Sequence, residues 1–221
     1  MGRNKLDRFE YNRNSPFVVE PGKEVFDNCK GNWHKSIFGN ENPITLEVGC
    51  GKGEYTTGLG ALFPQNNYIG VDIKGARIWK GANVADEQGL KNVRFLRTEI
   101  MLIDRCFAEN EVDEIWVTFP DPRPKEGDEK RRLISPKFLN FYRQFVRKDG
   151  VVHLKTDNHP LYLYALEVIA EEGLTALAQT DDLYNSPLLP DCHGIQTTYE
   201  QRYLAEGVKI NYVRFQLNKG H

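Results

Sequence analysis

The segment "ITLEVGCGKGEYTTGLGALF", residues 44–63, indicates the fold class most directly. It begins with an apolar run typical of a buried strand, continues through glycines at alternate positions, and ends in the helical pattern "YTTGLGALF" (55–63). A strand that enters a helix through a tight turn is the opening of a βαβ unit. The segment therefore predicts an α/β protein built on a parallel sheet.

The same alternation of short apolar runs and helical patterns continues along the chain. Ser135 is expected to cap a helix that starts at Pro136, and Gly150 to follow its end. The patterns predict further strands at 67–73, 93–99, 112–119 and 150–156, and further helices at 76–89, 136–148 and 161–173.

The last part of the chain departs from this alternation. Its two apolar runs, 174–179 and 208–217, have no convincing helix between them and are expected to pair as antiparallel strands. The prediction is a three-layer α/β sandwich with a mostly parallel sheet and an antiparallel C-terminal ending.

Residues 1–40 are expected to form a basic N-terminal arm with little regular structure, and residues 41–221 a single domain. Aromatic Phe9 and Tyr11 lie among the basic residues of this arm, which are Arg3, Lys5, Arg8 and Arg13. Basic segments of this kind commonly become ordered on RNA.

The composition argues against several classes of protein. No stretch approaches the roughly 18 to 20 apolar residues that a membrane helix requires, so a cytoplasmic protein without membrane contact is expected. The net charge of -2 gives no global reason to expect a polyanionic partner. No metal is expected, because no CxxC pair occurs among Cys29, Cys50, Cys106 and Cys192.

Acidic residues recur at the ends of the predicted strands. In open α/β sheets ligands bind beyond the carboxyl ends of the strands, so these positions carry most of the functional information. The first four strands each contain or precede one such acid: Glu47, Asp72, Glu99 and Asp121.

The glycines Gly49, Gly51 and Gly53 form a GxGxG turn that lets a ligand approach the backbone. Asp72 is placed to accept two hydrogen bonds from a ribose diol. An alternative is that the glycines only turn the chain and that the acids are solvated. Four acids after four successive strands favour a binding site.

The charge of these acids favours a cationic ligand. S-adenosylmethionine carries a sulfonium, an ammonium and a ribosyl adenine, whereas NAD carries a pyrophosphate that four carboxylates would repel. The sequence therefore favours S-adenosylmethionine.

Six motifs together resemble the tRNA (guanine-N7)-methyltransferase family, over nearly all of the chain after residue 40. They occur in the family's order and spacing: "LEVGCGKG" (46–53), "GVDIK" (70–74), "FPDPRPK" (119–125), "KRRL" (130–133), "LKTDN" (154–158) and "TTYE" (197–200). The resemblance implies a Rossmann-like class I methyltransferase fold and methyl transfer from S-adenosylmethionine to N7 of a guanine in the tRNA variable loop. It leaves open whether the protein is a monomer or a homodimer.

The resemblance also implies the roles of individual residues. It implies a donor site that contains the strand-end acids and their glycine turn: Glu47, Gly49, Gly51, Gly53, Asp72, Glu99 and Asp121. It implies substrate contacts at Lys125, Asp157, Thr197, Thr198, Tyr199 and Glu200. The last four residues can alternatively cap a helix, with Thr197 or Thr198 bonded to the backbone near Glu200.

Three positions differ from the family's usual pattern. Arg123 stands where the family has a tryptophan, which exchanges a stacking surface for a charged fork. Glu99 is one methylene longer than the usual Asp or Asn, and Gly127 and Asp128 replace an Arg-His pair.

Asp121 is the candidate catalytic residue, in an orienting role. Guanine N7 has a free lone pair and carries no proton, so methyl transfer to it requires alignment and no general base. Asp121 is expected to accept hydrogen bonds from guanine N1-H and N2-H2 or from the donor's ammonium. The prolines around it are expected to hold residues 118–124 as a stiff, extended rim.

Two other functions stay open at this stage. Methylation of an exocyclic amine is one, although the Pro-Pro-aromatic motif of such enzymes is absent after the fourth strand. A non-catalytic RNA-binding subunit that kept the fold is the other. Outside the motifs, His153 is expected to be a packed or edge histidine, and Trp79 and Trp116 are expected to lie in the core.

Overall fold

The computed structural model describes residues 3–217. Its strands are β1 (Val18–Val19), β2 (Ile44–Val48), β3 (Asn67–Asp72), β4 (Val93–Arg97), β5 (Val112–Thr118), β6 (Val146–Thr156), β7 (Thr175–Thr180) and β8 (Asn211–Gln216). Its α-helices are α1 (Arg3–Asn14), α2 (Glu24–Asp27), α3 (Glu54–Leu62), α4 (Gly75–Glu87), α5 (Pro136–Tyr142), α6 (His159–Glu171) and α7 (Thr198–Ala205).

The strands form one sheet in the order β1-β4-β3-β2-β5-β6-β8-β7. The neighbouring pairs from β1 to β6 are parallel, whereas β8 runs antiparallel to both β6 and β7. The predicted fold class, including the antiparallel ending, is confirmed. Because β2 lies in the middle and the chain order reverses on either side of it, the carboxyl ends of β2 and β5 meet at a topological switch point.

Two apolar cores cover the two faces of the sheet. Alternate residues of β5 show the division, since Val117 packs on one side and Trp116 on the other. Helices α5 and α6 cover the first face, and α3 and α4 cover the second. A parallel sheet that is buried on both faces requires almost continuous apolar strands, and all five residues of β2 are buried.

The N-terminal segment has far more regular structure than expected. Helix α1 packs on α4: the Asn12 amide donates to the Gly75 carbonyl at 2.8 Å, and the Arg8 guanidinium lies 4.7 Å above the Trp79 ring. The expectation of an irregular arm is therefore wrong. Trp79, which was expected in the core, is only half-buried and packs against α1 through Arg8. Trp33 is fully buried. The side chains of Arg3 and Asn4, and residues 1–2 and 218–221, lie outside the described part.

The predicted long helix after Ser135 is wrong in its C-terminal half. Helix α5 ends at Tyr142 and the chain enters β6 at Val146, because β6 finds its hydrogen-bond partner in β5 across a bulge. Gly150 lies inside this strand. The Ser135 hydroxyl donates to the Lys130 carbonyl and caps no helix amide.

A helix also occurs between the last two strands, where none was expected. Helix α7 begins with a capping box in which the Thr197 hydroxyl accepts from the Glu200 amide and the Glu200 carboxylate accepts from the Thr197 amide. This confirms the alternative interpretation of "TTYE" as a helix start. His153 and Trp116 are confirmed as packing residues, since the two rings stack 3.9 Å apart in the core.

We predict that Gly53→Ala destabilises the fold strongly. Gly53 has φ +71, and an added Cβ would lie 2.3 Å from the Phe95 ring. Left-handed strain costs about 1 to 2 kcal/mol, and overpacking adds about 1 to 3 kcal/mol. Urea denaturation of Gly53→Ala should show this loss in the free energy of unfolding.

Gly89→Ala is the matched control. Gly89 has φ +65, but nothing lies within 4 Å of an added Cβ. This variant should lose only the strain, about 1 to 2 kcal/mol. Equal losses in the two variants would contradict a role for the Phe95 contact.

Candidate active site

A cleft of about 380 Å³ opens at the carboxyl ends of β2 and β5, at the switch point of the sheet. The glycine turn after β2, the proline-rich rim after β5 and the start of α7 form its walls. Its lining residues are Glu47, Gly49, Cys50, Gly51, Lys52, Glu54, Arg77, Thr118, Phe119, Pro120, Asp121, Pro122, Asp157, Thr197, Tyr199 and Tyr203. These residues define the cleft.

Glu47 is the buried acid in the floor of the cleft. Its Oε2 accepts from the Thr56 amide at 2.9 Å and from the Thr56 hydroxyl at 2.5 Å. Its Oε1 accepts from the Thr118 hydroxyl at 2.6 Å. Burial raises the pKa of Glu47 from its ordinary value of 4.5 to about 7, although these hydrogen bonds act in the opposite direction.

The glycine turn brings backbone to the edge of the cleft. Gly49, Gly51 and Gly53 have φ values of +79, +59 and +71, so all three lie in the left-handed region that glycine favours. The Gly51 amide donates to Asp72 Oδ2 at 3.1 Å, and the Lys74 amide donates to Asp72 Oδ1 at 2.7 Å. Asp72 therefore holds the turn in place.

The rim after β5 bends more than an extended chain would. Phe119 and Arg123 each precede a proline, yet they have φ values of +47 and +46. The expectation of an extended rim is wrong at these two residues. The Phe119 amide instead donates to the Lys155 carbonyl, and the Arg123 amide donates to Asp121 Oδ1 at 3.2 Å.

Asp121 lies at the mouth of the cleft with 62% of its side chain exposed. The Arg123 guanidinium forms an ion pair with it at 3.1 Å, and the Arg132 guanidinium donates to the Arg123 carbonyl. The arginine that replaces the family's tryptophan therefore pairs with the candidate catalytic acid.

Helix α7 supplies a further wall of the cleft. Tyr199 and Tyr203 lie four residues apart and face the same cleft, with Asp157 from the end of β6 beside them. Partial burial raises the pKa of Asp157, and a hydrogen bond with Tyr203 opposes this shift. This wall of the cleft thus combines two tyrosine rings with the Asp157 carboxylate.

Comparison with known proteins assigns the chain to a family. A family model described as "Putative methyltransferase" matches residues 41–213. A protein from Cytophaga hutchinsonii named tRNA (guanine-N(7)-)-methyltransferase is 50% identical over 218 residues, which cover 98% of each chain. A protein of the same name from Bacteroides fragilis is 49% identical, over 98% of this chain and 87% of the relative. The chain belongs to the tRNA (guanine-N7)-methyltransferase family.

Solved structures agree with this assignment at the level of the fold. A 16S rRNA methyltransferase has a TM-score of 0.61 at 15% identity, over 80% of this chain and 88% of that one. A SAM-dependent methyltransferase from Aquifex aeolicus has a TM-score of 0.55 at 15% identity, over 81% and 85% of the two chains. The predicted class I methyltransferase fold is confirmed.

The structure does not bring all of the residues implied by the family into the cleft. Glu99 is exposed and precedes a short 3-10 turn, and Lys125 is exposed at the start of another. The Thr198 amide and hydroxyl donate to the Glu54 carboxylate. Glu200 is completely buried and does not line the cleft.

Several cleft residues of this family member were not predicted. Arg77 lies on α4, and its guanidinium is 3.8 Å from the Asp72 carboxylate. Tyr203 lies one helical turn after Tyr199, a spacing that becomes informative only once α7 is known to be a helix. Thr118 is the last residue of its strand and directly precedes "FPDPRPK", so its place in the sequence was a signal that could have identified it as a cleft residue.

Two further observations concern the described residues 3–217. No helix among them is long and apolar enough to cross a membrane. They contain no group of three or more His, Cys, Asp or Glu side chains that would hold a metal ion.

We predict that Glu47 makes the stability of the ligand-free protein depend on pH. Its pKa is about 7 in the folded state and about 4.5 when unfolded, so the folded state binds more protons between these values. This contribution to stability is present below about pH 4.5 and is lost as the pH rises through 7, by on the order of 3 kcal/mol.

The measurement compares unfolding free energies of the wild type and Glu47→Gln from pH 5 to 8. The free energy of unfolding of Glu47→Gln should increase relative to that of the wild type as the pH rises. Thr118→Val removes a hydrogen bond that lowers this pKa, so it should move the transition to higher pH. Parallel curves for wild type and Glu47→Gln would refute the shift.

Proposed function

We propose that the protein transfers a methyl group from S-adenosylmethionine to N7 of a guanine in tRNA. The observation that carries this proposal is the cleft itself, which places a glycine turn, buried and exposed carboxylates and two tyrosines around one space. Membership of the tRNA (guanine-N7)-methyltransferase family supplies the reaction.

The residues of the cleft fit a cationic methyl donor. Four carboxylates line it, those of Glu47, Glu54, Asp121 and Asp157, against two cationic side chains, Lys52 and Arg77. Nothing lies within 4 Å of a Cβ added at Gly51, so the turn leaves space for a ligand against its backbone. When bound, S-adenosylmethionine supplies an electrophilic methyl group on a sulfonium centre.

Glu47, Gly49, Gly51 and Asp121 are the residues proposed to hold the donor's charged and polar groups. Gly53 and Asp72 shape the turn. Gly53 leaves room for the Phe95 ring, and Asp72 accepts a hydrogen bond from the Gly51 amide. Asp72 and exposed Glu99 remain candidates for the ribose and adenine side of the donor, as the family pattern implies.

The guanine half of the reaction needs alignment. Because N7 carries no proton, no residue has to remove one, and the work of the chain is to fix the purine in line with the methyl group. Asp121 is proposed to accept hydrogen bonds from guanine N1-H and N2-H2 after release from Arg123. Exposed Tyr199, Thr197 and Asp157 line the place where the base would lie.

The RNA backbone is proposed to follow the basic rim outside the cleft. Lys125 and Lys130 are exposed there. Arg131 is also on this rim and forms an exposed ion pair with Asp128. Such residues bind phosphate through counterion release, so tRNA binding should weaken as salt rises. A cytoplasmic location and a monomer or homodimer are the accompanying proposals.

The test is methyl transfer to unmodified bulk tRNA with labelled S-adenosylmethionine. Transfer followed by strand cleavage with mild alkali and aniline at one guanine is the expected result. Labelled product that resists this cleavage would indicate an exocyclic-amine enzyme. Donor binding without transfer would indicate a non-catalytic subunit.

We predict that Asp121→Asn lowers kcat/KM for tRNA about 10- to 100-fold, because a charge-assisted hydrogen bond is worth roughly 1.5 to 3 kcal/mol. Asp149→Asn is the control, in the first half of β6. The Asp149 carboxylate accepts a hydrogen bond from the Gln216 side chain at 3.1 Å and lines neither the cleft nor the basic rim, so kcat/KM should stay within about twofold. Equal effects of the two changes would remove the role of Asp121.

We also predict that donor binding releases a proton from Glu47. A nearby cation favours the ionised carboxylate, so binding should lower the raised pKa of Glu47, and affinity should increase as the pH rises through about 7. Calorimetry at pH 7 in phosphate and in Tris should give different binding enthalpies. Glu47→Gln should remove that difference, and its persistence would assign the proton to another group.

A further inference from the structure

A buried ion pair attaches helix α7 to the sheet. Lys155 Nζ lies 2.6 Å from Glu200 Oε1, and the side chains are 1% and 0% exposed. Removing two charges from water is costly, and such a pair persists only where further bonds satisfy both groups. A gain in the free energy of folding alone therefore does not explain why an ion pair lies here.

The bonds around the pair connect several elements that meet at the cleft. Lys155 also donates to the Ile195 carbonyl at 3.3 Å and lies 5.4 Å from the centre of the Tyr55 ring on α3. Glu200 Oε1 accepts from the Tyr184 hydroxyl at 2.9 Å. Glu200 Oε2 accepts from the Thr197 amide at 3.4 Å, which is half of the capping box.

The position of the pair is directly behind the cleft wall. Lys155 pairs in register with Thr118 of β5, which lies in the cleft floor, and precedes Asp157 by two residues. On the other side, Glu200 follows Tyr199, whose side chain faces the cleft. A shift of Glu200 relative to Lys155 would therefore move the tyrosine wall relative to the floor.

The same helix start has a second anchor on the donor side. Thr198 donates to the carboxylate of Glu54, the first residue of α3 after the glycine turn. The beginning of α7 thus lies between the turn that is proposed to hold the donor and the strand end that carries Asp157. Its placement fixes the distance between the two halves of the cleft.

We propose that Lys155 and Glu200 are positioning residues, which hold Thr197 and Tyr199 where the target guanine enters and touch no substrate themselves. Glu200 acts through its buried pair, in contrast to the direct substrate contact expected from the sequence. This inference rests on the proposed function. A hydrophobic pair of similar size would support the fold as well, but it would not define the direction of α7.

The experiment uses three forms of the full chain: Lys155→Met, Glu200→Gln and the double variant. Each single change leaves one buried charge without its partner and should lower Tm markedly. The double variant removes both charges. The new amide oxygen can still accept from the Thr197 amide, and its NH2 group can donate to the Tyr184 hydroxyl, so the Tm should return close to that of the wild type.

Activity and donor binding distinguish positioning from a purely structural role. In the double variant the KM for tRNA should remain about tenfold higher than in the wild type, while the Kd for S-adenosylmethionine, measured by calorimetry, stays within about twofold. A double variant with both wild-type Tm and wild-type KM would overturn the proposal. So would a parallel loss of donor affinity.

Two further variants keep the test informative if the double variant folds poorly. Tyr184→Phe removes the hydrogen bond to Glu200 and the bond that Tyr184 accepts from Gln196, but it leaves no charge unpaired. It should raise the KM for tRNA about threefold with only a small loss of Tm. Glu206→Gln is the control, because it breaks only an exposed ion pair with Arg202 on the same helix and should leave KM unchanged. An unchanged KM in Tyr184→Phe would count against the proposal.

Failure of this inference is separate from failure of the proposed function. If the wild type transfers no methyl group to tRNA, the proposed function fails and the variants carry no information on positioning. If the wild type is active and the double variant is equally active, only the positioning role fails.

Discussion

A carboxylate buried at the end of the central strand is the constraint on which the cleft depends. Glu47 can remain inside only because the Thr56 and Thr118 side chains donate to it, and these residues belong to α3 and β5. The acid therefore joins three elements at the point where the sheet order reverses. Burial without a positively charged partner raises the pKa of Glu47 to about 7, so a cation bound nearby would favour its ionised form.

Polar bonds orient the elements around this joint. Asp72 secures the glycine turn, Arg123 restrains Asp121 on the rim, and Lys155 secures α7 from behind. Hydrogen bonds and ion pairs are directional, so they define orientations that apolar contacts leave adjustable. An enzyme that works by alignment needs this kind of support, since small displacements of the reacting atoms reduce the rate steeply.

The charges are distributed to serve two ligands of opposite sign. Carboxylates lie inside the cleft, where a sulfonium and an ammonium are proposed to bind, and exposed lysines lie outside on the rim after β5. The net charge of -2 conceals this separation. Arg123 stands at the boundary, because its ion pair with Asp121 neutralises the mouth of the cleft in the absence of RNA.

The sequence by itself determined the mostly parallel sheet with its antiparallel ending, the glycine turn, the family and the placement of Glu47, Asp121 and Asp157 at strand ends, because these features depend on local periodicity. Only the tertiary structure decided that residues 3–14 form a helix on α4, that the chain after Tyr142 joins β6, and that Glu200 points into the core. Each of these outcomes depends on a partner distant in the chain. A side chain's direction is set by the free energy of that contact, which no local pattern records.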